Sequence, residues 1–454
     1  MKGIFSCCLS LFFLCVHAQQ TSVSLKQAVL LVQQNQYRLQ AFKEQATAAS
    51  QNIALSKNTL LPELTAGYQA GYATYNNITG MSYPGLMMPI TGPPSANNTI
   101  DFVPGTALAA LVKWNPLSFG QRSAAIEKAT AQFQLANAAY SQELFRQQYA
   151  VLYTYMNAVY LHQLLTGLRA NTNRVETMLE QSLELARQGL KPGIDTVQFQ
   201  ALLAQANVSY LTAQKEYDAQ IIELTRLTGL PQLPGAVVLS DTAMAAGYPA
   251  LPDTAKGGAN NPVLQYYQSR RQLGMASLKE VQTAWRPRLD LWGNAYARGS
   301  GVEANGLVNK TDGWNLSRTN YGLGFQLSFP ILQFSAVNIQ KRQYQSLLKS
   351  DEAMLSQTEL DLQKQLQTAT VGYEQNRQIA GQTAVLAKAA SLAWEGLLLS
   401  YQSGLIDYTR LVQAQYDLLN AGVSMANAYL QVWKSVLDIA VAKGDLTIVL
   451  QQLK

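Results

Sequence analysis

The side chains that usually carry covalent or metal chemistry are nearly absent from this chain. It has two histidines and three cysteines. His17, Cys7, Cys8 and Cys15 all lie at the amino-terminal end, and only His162 lies beyond them. A zinc site of the usual kind needs several His or Cys ligands. A catalytic nucleophile needs an imidazole held in place by a third group. His162 sits in a mid-helix stretch with no such partner in view and reads as a helix-surface or packed residue. No glycine-rich phosphate cradle is present. The 34 lysines and arginines, against 28 acids for a net charge of +6, are spread out. They form no run that would track a phosphate backbone, so no nucleic acid is expected. The sequence therefore predicts no enzyme, no metal and no cofactor. The sequence also carries two glycine–leucine pairs at equivalent places in a repeat, Gly189-Leu190 and Gly404-Leu405. Asp195 and Arg410 each lie six residues past their glycine, Gln413 lies nine past, and Tyr401 lies three before. An acid, a cation and a phenol so placed suit an ionic and hydrogen-bonded latch. The alternative is two solvated charges on exposed helix ends. One exposed pair contributes only about 0.2–1 kcal/mol, so a latch needs several symmetry-related copies.

A repeat frames these positions. Between Pro116 and Gly189 there is no other proline and, after Gly120, one further glycine, Gly167. From Leu161 apolar residues step by four and three through Leu165, Leu168, Val175, Leu179 and Ala186, with Thr172 and Ser182 as polar members. That period packs a helix along its length against partner helices. A helix of roughly 70 residues spans about 100 Å. Pro330 to Gly404 is a second such stretch. Its seam runs through Leu362, Leu366, Ala369, Tyr373, Ala380, Ala387, Ala390, Trp394, Leu397 and Tyr401, with Asn376 and Thr383 polar. The interval from Pro116 to Gly189 differs by a single position from that between Pro330 and Gly404. Another glycine follows each at an identical interval, Gly229 after Gly189 and Gly444 after Gly404. Two halves so alike make one architecture built twice.

Residues 1–18 read as a secretory signal. Lys2 supplies the positive start, Ile4 to Val16 the apolar run, and Val16-His17-Ala18 the cleavage site before Gln19. Lipid attachment at Cys15 is the competing reading; Leu14 stands where a small residue normally precedes such a cysteine. Beyond the signal no run of about 18 apolar residues remains, so no membrane-spanning helix is expected. The chain is exported: periplasmic, secreted, or inserted as a barrel.

Each half reads as helix, strand, loop, strand, very long helix, turn, helix. In the first, a helix capped by Ser24 runs from Leu25 to about Leu60 and ends at Pro62. Leu64, Ala66, Tyr68, Ala70 and Tyr72 then alternate with Thr65, Gly67, Gln69 and Gly71. This is a nine-residue strand, the length a tilted membrane strand needs. Residues 74–104 form a loop, Thr106 to Trp114 a second strand, and Pro116 opens the long helix. A return helix ends near Gly229. In the second half a helix from Pro262 to about Ala284 leads to a strand through Leu289, Leu291, Gly293 and Ala295. A loop at 299–320, a strand from Tyr321 to Phe329, and a long helix opened by Pro330 follow. Trp292 has an ambiguous face. It joins an interfacial girdle with Tyr68, Tyr72, Trp114, Tyr296 and Tyr321, or it packs between strands. The expected organisation is repeat 1 at 19–229, a connector at 230–261, repeat 2 at 262–444 and a tail at 445–454. Four strands cannot close a barrel, and open edges are forbidden in a bilayer, so closure must come from other copies.

In this order and spacing the chain resembles the TolC family of outer-membrane efflux proteins over essentially its whole mature length. The resemblance is carried by Val112-Lys113-Trp114-Asn115-Pro116-Leu117 and Leu327-Ser328-Phe329-Pro330-Ile331-Leu332, by the two Gly-Leu turns, and by the Leu-Val-Gln-Ala-Gln run at 411–415. It implies a mainly α protomer with a membrane β part, and a homotrimer forming a twelve-stranded barrel continuous with a long periplasmic α-helical barrel. The short helices stack end to end to match each long one, and the connector lies at the tunnel's midriff. The implied function is the exit duct of a tripartite efflux or type I secretion system. Such a duct sits in the outer membrane and is driven by an inner-membrane pump through a periplasmic adaptor. Gly189, Leu190, Gly404 and Leu405 match the adaptor-docking turns; Asp195 and Tyr401 match residues of the tunnel mouth. Arg410 and Gln413 depart from the pattern, because well-studied members carry acidic rings there. The competing reading is a soluble periplasmic coiled-coil adaptor or structural protein, which leaves the four alternating strands unexplained. The cargo stays open between small toxic compounds and a secreted protein.

Overall fold

The structure, a computed structural model, describes residues 21–74, 81–83, 86–88, 98, 100–190, 192–230, 237–251, 260–302 and 307–453. The signal segment and the Cys15 alternative lie outside the described residues. In chain order the elements begin with β1 (Thr21–Val23), α1 (Leu25–Asn35), α2 (Tyr37–Asn58), β2 (Glu63–Thr74), β3 (Met81–Tyr83), β4 (Leu86–Met88) and β5 (Phe102–Leu117). Next come α3 (Gln121–Arg187), α4 (Gly193–Thr228), β6 (Val237–Leu239), α5 (Pro262–Thr283), β7 (Arg288–Ser300) and β8 (Arg318–Ser328). The chain ends with α6 (Phe334–Gln402), α7 (Tyr408–Lys443) and α8 (Thr447–Leu450). The long helices hold 67 and 69 residues. The expected seams face their partners: Leu161, Leu165, Leu168, Val175, Ala369, Tyr373, Ala380 and Tyr401 are buried. Polar seam members find hydrogen bonds. Ser182 Oγ lies 3.3 Å from Thr196 Oγ1, and Asn376 Nδ2 donates to Ser435 Oγ at 2.9 Å.

The structure corrects the sequence reading in three places. The helix expected from Leu25 to Leu60 is two helices, broken at Gln36, whose backbone is extended (φ −78°, ψ 111°). The last carbonyls of a helix lack intrahelical donors, and this break supplies them to α4. Asn35 Nδ2 donates to Thr228 O at 3.0 Å, and Gln36 Nε2 donates to Arg226 O at 2.9 Å and to Leu227 O. The second half repeats the joint. Asn261 Nδ2 donates to Val441 O (3.0 Å) and Ala442 O (3.2 Å), and α5 starts at the next residue. In each half a 36-residue helix thus ends where a 22-residue helix begins. Second, Pro116 does not open α3. It lies within β5, where the pairing with β7 slips between Trp114 and Leu117, and a missing N–H is tolerated at such an irregularity. Helix α3 starts at Gln121, after Phe119 (φ 46°) and Gly120 (φ 94°). Third, Pro330 precedes a 3₁₀ turn, Ile331–Gln333, and α6 starts at Phe334.

Contacts gather the chain into two compact units that cut across the repeat. One comprises Met1–Ala46, Leu135–Ser269 and Glu352–Lys454; the other comprises Thr47–Gln134 and Arg270–Asp351. The first holds the main core, where Val151, Leu152, Tyr155 and Met156 of α3 pack with Val432, Val436, Leu437 and Ile439 of α7. Part of the connector is pinned there. β6 pairs in parallel with β1, Leu25 N donates to Asp241 Oδ2 (2.7 Å), and Tyr373 OH donates to Pro249 O (3.0 Å). The second unit holds an antiparallel sheet in the order β2-β5-β7-β8. Its strands are 11 to 16 residues long, exceeding the nine expected for the first. The expected loops carry some order: β3 pairs with β4, and a 3₁₀ turn at Asp312–Trp314 lies on β5, where Thr106 Oγ1 donates to Gly313 O at 3.0 Å.

Candidate functional site

Both hairpin turns are built by one local device. Gly189 (φ 71°) and Gly404 (φ 73°) take the left-handed conformation that ends a helix without a side-chain penalty. Leu190 N donates to Leu185 O and Leu405 N to Ser400 O, each at 2.9 Å. Gly189 N donates to Ala186 O and Gly404 N to Tyr401 O, each at 3.0 Å, which completes a Schellman motif at each end. Apart from its chain neighbours, no atom of the described residues lies within 4 Å of the place a Cβ would occupy on either glycine. Leu190 and Leu405 are 65% and 78% exposed. Each turn thus presents a bare glycine beside an apolar side chain in solvent.

Asp195 lies in the first turn of α4, half-buried. Tyr401 is buried in a cluster with Met178, Phe199 and Leu411. Tyr408 packs edge-on to Phe199, with ring centroids 4.6 Å apart. Burial pushes both phenols up, and the Asp195 carboxylate adds to the rise in each. For Tyr408, where Tyr416 also contributes, the value reaches about 12. The fold therefore gathers Asp195 and Tyr401 with a third group, Tyr408, that turn spacing alone does not single out. Arg410 and Gln413 are exposed on α7. Arg410 N donates to the capping Asp407 (3.0 Å), and Gln413 Nε2 donates to Asp417 Oδ1 (2.9 Å). Among the described residues no ion pair joins Asp195 to Arg410 within the chain. Deeper in the bundle Gln415 Nε2 donates to Asn171 Oδ1 in a buried polar layer between α3 and α7. Beside it the Arg174 guanidinium lies 5.6 Å from the Trp394 ring centre. This layer is invisible in either helix taken singly.

The sheet has two unlike faces. Register places Leu64, Tyr68 and Tyr72 of β2 with Leu108 and Val112 of β5, Leu291 and Ala295 of β7, and Tyr321, Leu323 and Phe325 of β8. This apolar face is open: Tyr321, Leu323 and Phe325 are 90%, 86% and 74% exposed. Such a surface suits lipid rather than water. The opposite face carries Thr65, Gln69, Lys113, Asp290, Asn294, Arg298, Asn320 and Gln326. Trp292 lies on this polar side, which resolves its ambiguous assignment. It sits against Gly322 and Gly324, and a Cβ on Gly324 would fall 2.7 Å from the indole. The two glycines leave room for the ring.

No protein-family model and no curated protein sequence matches the chain. Solved structures do. The CmeC outer membrane channel of Campylobacter jejuni is 14% identical, with 92% of this chain and 85% of that chain covered at a TM-score of 0.76. The outer membrane protein VceC of Vibrio cholerae is 14% identical, with 93% and 96% covered at 0.73. The outer-membrane channel OprN is 15% identical, with 92% and 89% covered at 0.71. The likeness extends along most of each chain. The chain therefore has the fold of the outer-membrane channels.

Proposed function

We propose that the chain is the outer-membrane exit duct of a tripartite efflux or type I secretion system. It acts as a homotrimer whose strands close a twelve-stranded barrel, continuous with a periplasmic tunnel of helices. Transport is passive, driven by an inner-membrane pump through a periplasmic adaptor. The observation that carries this reading is a pair of unfilled seams. On α4, Ile194, Val197, Ala201, Ala204, Val208 and Leu211 alternate by three and four and are all exposed; on α6, Leu399, Gly396, Leu392, Ala389, Val385 and Gln382 do the same. Measured from their turn glycines, the two seams match layer by layer. Ile194 stands as far from Gly189 as Leu399 does from Gly404, and the same holds for Ala201 with Leu392 and for Val208 with Val385. Such spacing supports coiled-coil packing of one chain's α4 on the α6 of another copy. The contact is head-to-tail, as is pairing of edge strand β8 with the next copy's β2, and head-to-tail contacts close a ring when the rotation between copies closes. In this reading Gly189-Leu190 and Gly404-Leu405 dock the adaptor. Asp195, Tyr401 and Arg410 latch the mouth, with Gln413 beside them.

Membrane fractionation and crosslinking test the proposal. The protein is expected in the outer membrane, extracted only by detergent as a trimer. No cysteine lies beyond Cys15, so a Val208→Cys/Val385→Cys variant is expected to form disulfide-linked trimers. A soluble monomer would overturn the duct and favour the periplasmic adaptor. Trimers that never crosslink at this pair would overturn the seam pairing.

A further inference from the structure

We infer that the polar face of the sheet makes the duct anion-selective, with Arg298 setting the sign, so that the favoured cargo is organic anions bearing carboxylate or phosphate. The inference rests on the closed barrel proposed above, in which this face turns inward. On it register places four cations, Lys113, Arg288, Arg298 and Arg318, with two acids, Glu63 and Asp290. Three of the cations are matched. Glu63 stands directly opposite Lys113 across β2 and β5. Arg288 Nε lies 3.0 Å from Asp290 Oδ2, and Arg318 Nη1 lies 3.1 Å from the loop residue Asp312. Asp101 and Lys310 are exposed beyond the strand ends, where the loop sequence also carries Glu303. Arg298 is exposed and has no carboxylate partner among the described residues. Its cross-strand neighbours are Ala107 and Arg318. Like charges set directly opposite across a strand pair destabilise a sheet.

Three copies place three such charges at one level of the lumen. Twelve strands about 4.8 Å apart and tilted about 40° enclose a backbone ring about 24 Å across. An ion on the axis then lies about 10 Å from each side-chain charge. At 0.1 M salt, with a Debye length of about 10 Å, the three charges raise anions and deplete cations by about twofold each. The permeability ratio of chloride over potassium should be roughly fivefold by this estimate, and larger at lower salt. Arg410 and Gln413 add no acidic ring of opposite sign.

The measurement is the reversal potential of purified trimers in planar bilayers under a tenfold KCl gradient. Wild type is expected to be anion-selective. Arg298→Gln should bring the ratio close to one, and Arg298→Lys should keep it. Cation-selective or unselective wild-type channels would overturn the inference. So would an unchanged reversal potential in Arg298→Gln. The absence of any conductance from inserted trimers is a different failure, since it would remove the duct itself and this inference with it.

Discussion

Four glycines close four helices by one device, and they should not respond alike to one added methyl group. Gly189, Gly404, Gly229 and Gly444 have φ of 71°, 73°, 68° and 75°. Alanine in this left-handed region costs about 1–2 kcal/mol at any of them. At Gly189 and Gly404 the new Cβ meets nothing among the described residues beyond its chain neighbours within 4 Å, so that strain is the main cost. At Gly229 it would lie 2.6 Å from Asn35 Cβ, and at Gly444 it would overlap Asn261 Cα and lie 2.9 Å from its Cβ. Those atoms cannot swing aside, because each belongs to a residue whose amide caps the helix that the glycine ends. Overpacking adds about 1–3 kcal/mol, so Gly229→Ala and Gly444→Ala should lose about 2–5 kcal/mol in total. Thermal unfolding of the detergent-purified protein, followed by circular dichroism at 222 nm, ranks the four variants. In a chain of this size each kcal/mol moves the midpoint by about 1 °C. The expected order places Gly189→Ala and Gly404→Ala close to wild type and the other two several degrees lower. Equal losses at all four, or a larger loss at the hairpin turns, would refute the argument from the end-to-end joints.

Bulk at the turns should act on docking rather than folding. Gly189→Trp and Gly404→Trp are expected to abolish export while trimer and membrane insertion persist, and normal export in both would defeat adaptor docking there. If Asp195 and Arg410 latch the mouth, each alanine variant should raise single-channel conductance and the double variant should add little. Unchanged conductance in both singles would remove the latch. The raised Tyr408 phenol gives a pH dependence of definite sign. The folded state favours its neutral form, so its stabilisation is complete below pH 10 and is lost as pH rises from 10 toward about 12. Melting profiles from pH 9 to 11.5 should show an alkaline decline that Tyr408→Phe reduces; an identical decline in the variant would refute the assignment.

The sequence alone determined the parts whose causes are local. Alternating four-and-three steps through Leu161 and Leu165, or Ala369 and Tyr373, require a helix with a buried stripe. Leu64 to Tyr72 and Tyr321 to Phe329 require strands with one apolar face. A glycine at 189, 229, 404 and 444 marks four helix ends because a left-handed residue there needs no distant partner. Four strands with open apolar faces also point to closure by further copies, the assembly proposed above. Tertiary structure decided whatever depends on an atom far away in the chain. Asn35 and Gln36 fit a continuous helix by propensity, yet the distant carbonyls of Arg226, Leu227 and Thr228 break it. Pro116 fits the first turn of a helix equally well, until pairing with β7 extends β5 through it. Trp292 is an apolar ring at an alternation position shared with Asp290 and Asn294, and Gly322 and Gly324 on the neighbouring strand make room for it on that polar face. Tyr408 reads as an ordinary first-turn residue until Phe199, from the other hairpin, meets its ring. Periodicity reports which face of an element is buried, but not which side chain from another element meets it. That is fixed by register and by the need to satisfy each buried donor and acceptor, which are properties of the assembled fold.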